Sequence, residues 1–267
     1  MLLVILAMPK ALAIPKALAA IDGDAVKAIA AAVGAAPADV RMRLAGRLPR
    51  VVLSDSEGGA LAAAAEALEA MGLQTVVCDP AEAPTDRERV IGRRVNVSPA
   101  DGVLQIWDGA ETCHEIPRAA VQLLQRGVRA ATEQRTVTTT QRKFDAGRAL
   151  LSGGLMLTKK STQTSTTSTE TREPFLLVQR AGGEGDVILY ERRLDYRFLG
   201  GELQPSSHAN FERLVAAVRA FCPQAPFDDR VAQAGFVQGL PATAADPTDL
   251  GLYLVTLAQA RAAAFRG

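Results

Sequence analysis

Two hydrophobic periodicities divide the chain. Over residues 1–80 short apolar runs alternate with stripes of helical spacing. Leu2 to Ala7 is an uninterrupted apolar run, the pattern of a strand buried on both faces. Ile21, Val26, Ile29 and Val33 then recur at near-helical spacing, and Gly34 ends the stretch. Ala36-Pro37-Ala38-Asp39 opens a second helix with Val40, Leu44 and Leu48 four apart, and Pro49 stops it. Val51-Val52-Leu53 predicts a second strand. Ser54-Asp55-Ser56 supplies capping oxygens for a helix whose stripe is Leu61, Ala64, Ala65 and Leu68, extended by Met71 and closed by Gly72. Thr75 to Cys78 is a third strand, which makes the order β-α-α-β-α-β.

From about residue 90 the texture changes to short runs separated by turn residues: Val90–Val97, Val103–Trp107, Glu115–Leu124, Thr136–Lys143, Leu155–Lys160, Ser161–Thr171, Phe175–Arg180, Val187–Glu191 and Leu194–Leu199. Pro99-Ala100-Asp101-Gly102, Gly153-Gly154 and Gly182-Gly183-Glu184-Gly185 punctuate them, and such spacing predicts an antiparallel sandwich or barrel. The Ser/Thr tract from Lys159 to Arg172 reads as a solvent-facing hairpin because Thr favours extended backbone. Phe211, Leu214, Val215, Val218 and Phe221 lie on one face of a helix capped by Ser206 or Ser207. Asp246-Pro247-Thr248-Asp249 starts a last helix, expected to pack on one of the domains. The expected organisation is α+β: a three-stranded α/β domain over 1–80, a linker at 81–89, a β-rich domain over 90–222 and a helical extension over 223–267.

The first region resembles the C-terminal domain of the bacterial ribosomal stalk protein. The resemblance covers about 75 residues and rests on Ile14-Pro15-Lys16, Val40 to Leu44, Leu48-Pro49, Leu68-Glu69-Ala70-Met71-Gly72-Leu73 and Thr75-Val76-Val77. It implies a stalk-like fold. That family's factor-binding face is Lys-rich, and Lys16, Lys27, Arg41, Arg43 and Arg47 are the cations that could take its place. The second region, some seven strands followed by one amphipathic helix, resembles a pleckstrin-homology-like (PH-like) β-barrel in the order of its elements.

Composition narrows the function. The chain has 267 residues, 48% of them hydrophobic and only 4% aromatic, so its cores must be built from Ala, Leu and Val. The excess of Ala and of Arg over Lys suggests a GC-rich bacterial coding sequence. A net charge of +1 argues against a polyelectrolyte binder. Cys78, Cys113 and Cys222 are far apart with no Cys/His ligand spacing, so neither disulfides nor zinc is expected, and a reducing cytoplasmic compartment fits. MLLVILAM lacks a basic n-region and is broken by Pro9-Lys10, so it reads as a strand and not a signal peptide.

Catalytic chemistry finds little support. His114 follows Cys113 directly, and neighbours on a strand point to opposite faces, so the two do not form a nucleophile–base pair. His208 sits at a helix start. Ser152-Gly153-Gly154 reads as a turn, Gly182-Gly183-Glu184-Gly185 as a hairpin tip, and Asp22/Asp24 and Asp228/Asp229 as caps or solvated charges. No cofactor is implied. One asymmetry stands out: between Ile116 and Thr169 nine basic residues face only Glu133 and Asp145, a local net of +7. These charges either gather on a face for an anionic partner or spread over a solvated outside. The partner-binding candidates are Arg118, Arg126, Arg129, Arg142, Lys143, Arg148, Lys159 and Lys160. Nucleic acid fits least, since stacking needs exposed aromatics and only Trp107, expected in the core, and Phe144 are near. The leading expectation is a non-enzymatic protein-binding adaptor. A peripheral binder of anionic lipid acting through 116–169 and an enzyme with an inter-domain site are the alternatives.

Overall fold

In the computed structural model, residues 1–8, 23–55, 59–144, 158–181, 185–243 and 245–264 are described. The first sheet has the order β2-β1-β3, with β1 (Leu2–Ala7) antiparallel to β2 (Arg50–Ser54) and to β3 (Gln74–Cys78). As the centre strand β1 is covered on both faces, which accounts for its unbroken apolar run. On one face Leu3, Ile5 and Val52 pack with α1 (Gly23–Val33), α2 (Pro37–Arg43) and α3 (Gly59–Ala70) through Val26, Ile29, Val40, Leu61 and Leu68. The second helix ends at Arg43, earlier than its stripe suggested: the Leu44 amide still makes the helical bond to Val40, but the Ala45 amide bonds to the Met42 carbonyl only three residues back, a tightened last turn. Lys16 and Ser56 lie outside the described residues.

Two further sheets follow. β5 (Arg94–Ser98), β6 (Val103–Trp107) and β7 (Cys113–Pro117) form an antiparallel meander. A five-stranded sheet has the order β11-β8-β9-β10-β4, from β4 (Val90–Gly92), β8 (Val121–Phe144), β9 (Thr158–Arg180), β10 (Val187–Tyr190) and β11 (Phe227–Asp228). Among the described residues no sheet closes into a barrel. The meander contributes Val95, Leu104, Ile106 and Ile116 to one core with Leu176, Val178, Val187 and Leu189. The helix α4 (Ser207–Phe221) adds Phe211, Leu214, Val215, Val218 and Phe221 to it.

Several expected strands come out differently. Thr136–Lys143 lies inside the 24-residue β8, and Ser161–Thr171 and Phe175–Arg180 are one 23-residue β9. Leu194–Leu199, expected as a strand, becomes a 3₁₀ turn over Tyr196–Glu202, because the Asp195 carboxylate accepts the Arg197 amide and caps it. Leu155 to Leu157 lie outside the described residues.

The C-terminal helix departs most from expectation. After the short helix α5 (Ala234–Val237), α6 (Pro247–Ala264) begins at the expected signal, but it packs on two sheets, not one. Leu250 and Leu254 join Leu2, Val4, Leu6, Val51 and Cys78 on the open face of the first sheet. Leu252 and Val255 join Phe175, Leu177, Ile188 and Tyr190 on the outer face of the five-stranded sheet, with Val231 and Phe236. The helix is therefore apolar on opposite sides, and a single-sided stripe could not reveal this. Polar anchors reinforce it: Thr256 Oγ1 accepts from Gln125 and from Gln179, both at 2.9 Å.

Residues 81–89 do not run free. Ala83 and Arg89 are buried, and the Arg89 guanidinium, 2% exposed, donates at 2.5 Å to Asp249 in the first turn of α6. Residues 1–128 and 174–267 form one compact unit and residues 129–173 a second, so the boundary expected at 81–89 falls within the first.

Candidate groove between the first two helices

Beside the contacting helices α1 and α2 lies a depression of about 490 Å³ lined by Gly23, Val26, Lys27, Pro37, Ala38, Arg41 and Met42. Pro37 sits in the first turn of α2, where its missing N–H costs nothing and its fixed φ suits the helix. Val40 and Leu44 point into the core, so Arg41 and Met42, on the other side of the same helix, are turned outward. Met42 is 70% exposed, an unusual setting for a large apolar side chain. The groove thus has an apolar floor and two cations among its lining residues, with no carboxylate between them. Lys27 Nζ pairs with Asp24 at 3.0 Å, but both side chains are well exposed, so the contact leaves the ammonium available. Arg43, also on α2, is used internally, donating to the Val52 carbonyl at 2.5 Å. Arg47 is exposed and faces Asp229 at 3.5 Å.

Of the eight cations read from the sequence, Arg118 and Arg126 are engaged by neighbouring side chains. The Arg118 guanidinium lies over the Phe221 ring at 4.8 Å and donates to the Pro99 carbonyl. Arg126 forms a two-pronged ion pair with Glu212 of α4, one prong at 3.0 Å. Arg129 is half-buried at the start of the second unit. Arg148 lies outside the described residues. Arg142 and Lys143 belong to the end of β8, and Lys159 and Lys160 to the start of β9; their side chains lie outside the described residues.

The histidines have carboxylate partners. His114 Nε2 lies 3.1 Å from Asp108 Oδ2. That hydrogen bond, with further ones from the Thr112 and Ala110 amides, holds the Asp108 carboxyl below the usual range. The sequence reading missed Asp108; the Asp-Gly turn before β7 was the available signal. Cys113 and His114 do line one depression with Val90, Glu115 and Arg180. They nevertheless alternate along β7, Cys113 opposite Trp107 and His114 opposite Ile106, and no thiol–imidazole bond forms. His208 Nδ1 lies 3.3 Å from Oε2 of the buried Glu191, and its Nε2 faces Glu212 at 3.9 Å. Burial pushes the Cys78 and Cys222 thiols up to about 11, which keeps them protonated and unreactive at neutral pH. Among the described residues no group of three His, Cys, Asp or Glu side chains could hold a metal ion, and no helix is long and apolar enough to cross a membrane.

No family model matches the chain, and neither the curated proteins nor the solved structures compared with it yield a match.

Proposed function

We propose that the protein is a non-enzymatic adaptor that binds another protein in the α1–α2 groove. The observation that carries this reading is the exposed Met42 beside an apolar floor, with Lys27 and Arg41 as the charged lining residues. An exposed apolar surface bounded by charge is the usual composition of a protein-docking site. The occupant this chemistry selects is an amphipathic segment whose apolar side chains cover Val26, Pro37, Ala38 and Met42 while its carboxylates meet Lys27 and Arg41. The β-α-α-β-α-β order and the resemblance to the ribosomal stalk domain support it, since that family also uses a basic helical face. For the second half, the meander, the β8–β10 strands and α4 share one core, and this supports a PH-like reading of that region.

The test is site-specific cross-linking. A photoreactive residue at position 42 of the full chain in its native host should yield adducts with a protein segment carrying Asp or Glu among large apolar residues. The adduct yield should fall roughly tenfold in a chain with both Lys27→Glu and Arg41→Glu, a difference of about 1.4 kcal/mol. Absence of any adduct, or adducts indifferent to charge reversal, would overturn the proposal.

A further inference from the structure

One edge of the meander β5-β6-β7 is tied down. At β5 the Asp195 amide donates to the Arg93 carbonyl at 2.7 Å, and Asp195 bridges Arg94. The other edge is β7, whose register with β6 sets Trp107 opposite Cys113, Gln105 opposite Glu115 and Val103 opposite Pro117. Just beyond the two ends of this ladder, the Asp108 amide donates to the Thr112 carbonyl at 3.1 Å and the Arg118 amide to the Gly102 carbonyl at 2.9 Å. Hydrogen-bonded pairs alternate along an antiparallel ladder, so the even-numbered residues of β7 turn their backbone groups to β6. The odd-numbered ones turn theirs outward: the N–H and C=O of Cys113 and Glu115, and the C=O of Pro117. No described residue takes up these groups.

β7 borders a depression of about 600 Å³ lined by Cys113, His114 and Glu115 with Val90 and Arg180. Successive strand residues point to alternate faces, so a cavity that touches three in a row lies along the strand's edge. On the inward face, Ile116 belongs to a core against which Val90 packs. On the opposite, exposed face a row of side chains crosses the meander. Asn96 Nδ2 donates to Gln105 Oε1 at 3.0 Å, and Gln105 Nε2 donates to Glu115 Oε1 at 2.8 Å. The row ends at the edge on a carboxylate whose second oxygen has no partner among the described residues. A strand added here would set one of its residues beside Glu115, and a cationic side chain at that place completes the row.

We infer that β7 is the docking edge for an extended segment of another protein, joined as a fourth strand, with Lys or Arg beside Glu115 and an apolar residue on either side of that cation. Cys113 and Glu115 supply the main-chain hydrogen bonds that give strand addition its affinity, and the alternate side chains give it specificity. The apolar neighbours of the cation turn to the other face, toward Val90. Pro117 has no N–H to offer and ends the pairing. An open edge invites chance association, and Glu115 restricts it. A second copy of β7 centred on this residue would set carboxylate against carboxylate, and an acidic strand is repelled in the same way. The edge shares no lining residue with the α1–α2 groove and is a separate surface.

Amide hydrogen exchange of the full chain, read residue by residue by nuclear magnetic resonance, tests this. The probes are the end-capped peptides Thr-Val-Lys-Val-Thr and Thr-Val-Glu-Val-Thr. Without peptide, the Cys113 and Glu115 amides should exchange faster than those of His114 and Ile116, which are bonded to β6. The lysine peptide at saturation should slow Cys113 and Glu115 several-fold, and the glutamate peptide should bind about tenfold more weakly. Glu115→Lys should reverse the preference between the two peptides, with unchanged far-UV circular dichroism showing that this variant is folded. The charge-reversed Lys27→Glu, Arg41→Glu chain should bind the lysine peptide like the parent, which separates this edge from the groove. The inference is overturned if Cys113 and Glu115 are as protected as His114 in the free chain, or if their protection rises with the chain's own concentration, which would identify a second copy as the occupant. It is overturned equally if neither peptide slows them, or if Glu115→Lys leaves the preference unchanged.

Discussion

Single positions show how little slack the packing leaves. Arg50 is 2% exposed and has no carboxylate partner among the described residues. Its guanidinium donates instead to the Phe236 and Gly235 carbonyls, at 2.9 and 3.0 Å, and lies 5.3 Å from the centre of the Phe236 ring. Burial lowers its pKa from the ordinary arginine value. The arginine fits because Gly46 and Gly239 flank it: a Cβ at either would come within 2.4 Å of a guanidinium nitrogen. Gly127 does the same for an aromatic ring. A Cβ there would lie 2.2 to 2.9 Å from three Phe175 ring atoms, and Phe175 is wholly buried beside Tyr190, their rings 5.8 Å apart and edge-on. Gly127→Ala should therefore destabilise the protein by about 1–3 kcal/mol, the range for overpacking a full core. Urea unfolding followed by circular dichroism measures it, and a midpoint equal to the parent's would contradict the packing described.

At the scale of elements, α6 ties two sheets together. Its Leu250 and Leu254 complete the open face of the first sheet while its Leu252 and Val255 cover the outer face of the five-stranded sheet. The buried Arg89–Asp249 ion pair fixes its first turn to the chain between the sheets. A helix shared in this way couples the stability of both sheets. Trp107 lies in the meander, half-buried beneath the Arg94 guanidinium at 4.4 Å, and reports on the region away from the first sheet. Leu254→Ala removes apolar contact from the first sheet alone, yet it should lower the unfolding midpoint seen by Trp107 fluorescence as much as that seen by circular dichroism. The loss should be about 2–5 kcal/mol. A Trp107 transition that stays in place while the circular dichroism transition shifts would refute the coupling.

Across the whole molecule the buried polar groups predict how stability follows pH. Burial works against the charged form of Asp228, whose side chain is 7% exposed, but hydrogen bonds and charge from Arg230, with a further bond from Gln259 of α6, outweigh it. Its carboxyl is held below the ordinary aspartate value. A folded-state pKa below the unfolded one means that the unfolded chain binds the proton more readily. The stabilisation is complete above the ordinary aspartate range, and it is lost as pH falls through that range and below the lowered value. The same Arg230 donates to the Leu48 carbonyl, so protonating Asp228 loosens a junction of three chain segments. Unfolding free energy measured from pH 7 down to pH 2 should decline on the acid side, and Asp228→Asn should lower stability at pH 7 while flattening that decline. An acid limb as steep in Asp228→Asn as in the parent would remove Asp228 from the explanation.

Local signals settled much of this protein. The apolar run of β1, the stripes of α1 and α3, the cap at Ser206 and the start of α6 at Pro247 are written in neighbouring residues, because helix and strand periods and capping oxygens act within a few positions. Arg41 and Lys27 of the groove were legible as basic positions of a stalk-like helix pair. Met42 was not, since an apolar residue reads as core until its neighbours Val40 and Leu44 are seen to claim the inward side. Only the tertiary structure decided that one helix serves two sheets, that Arg118 and Arg126 are taken up by Phe221 and Glu212, and that Asp108 holds His114. Those outcomes depend on contacts between residues distant in the chain, and periodicity carries no information about which distant surface a given face will meet.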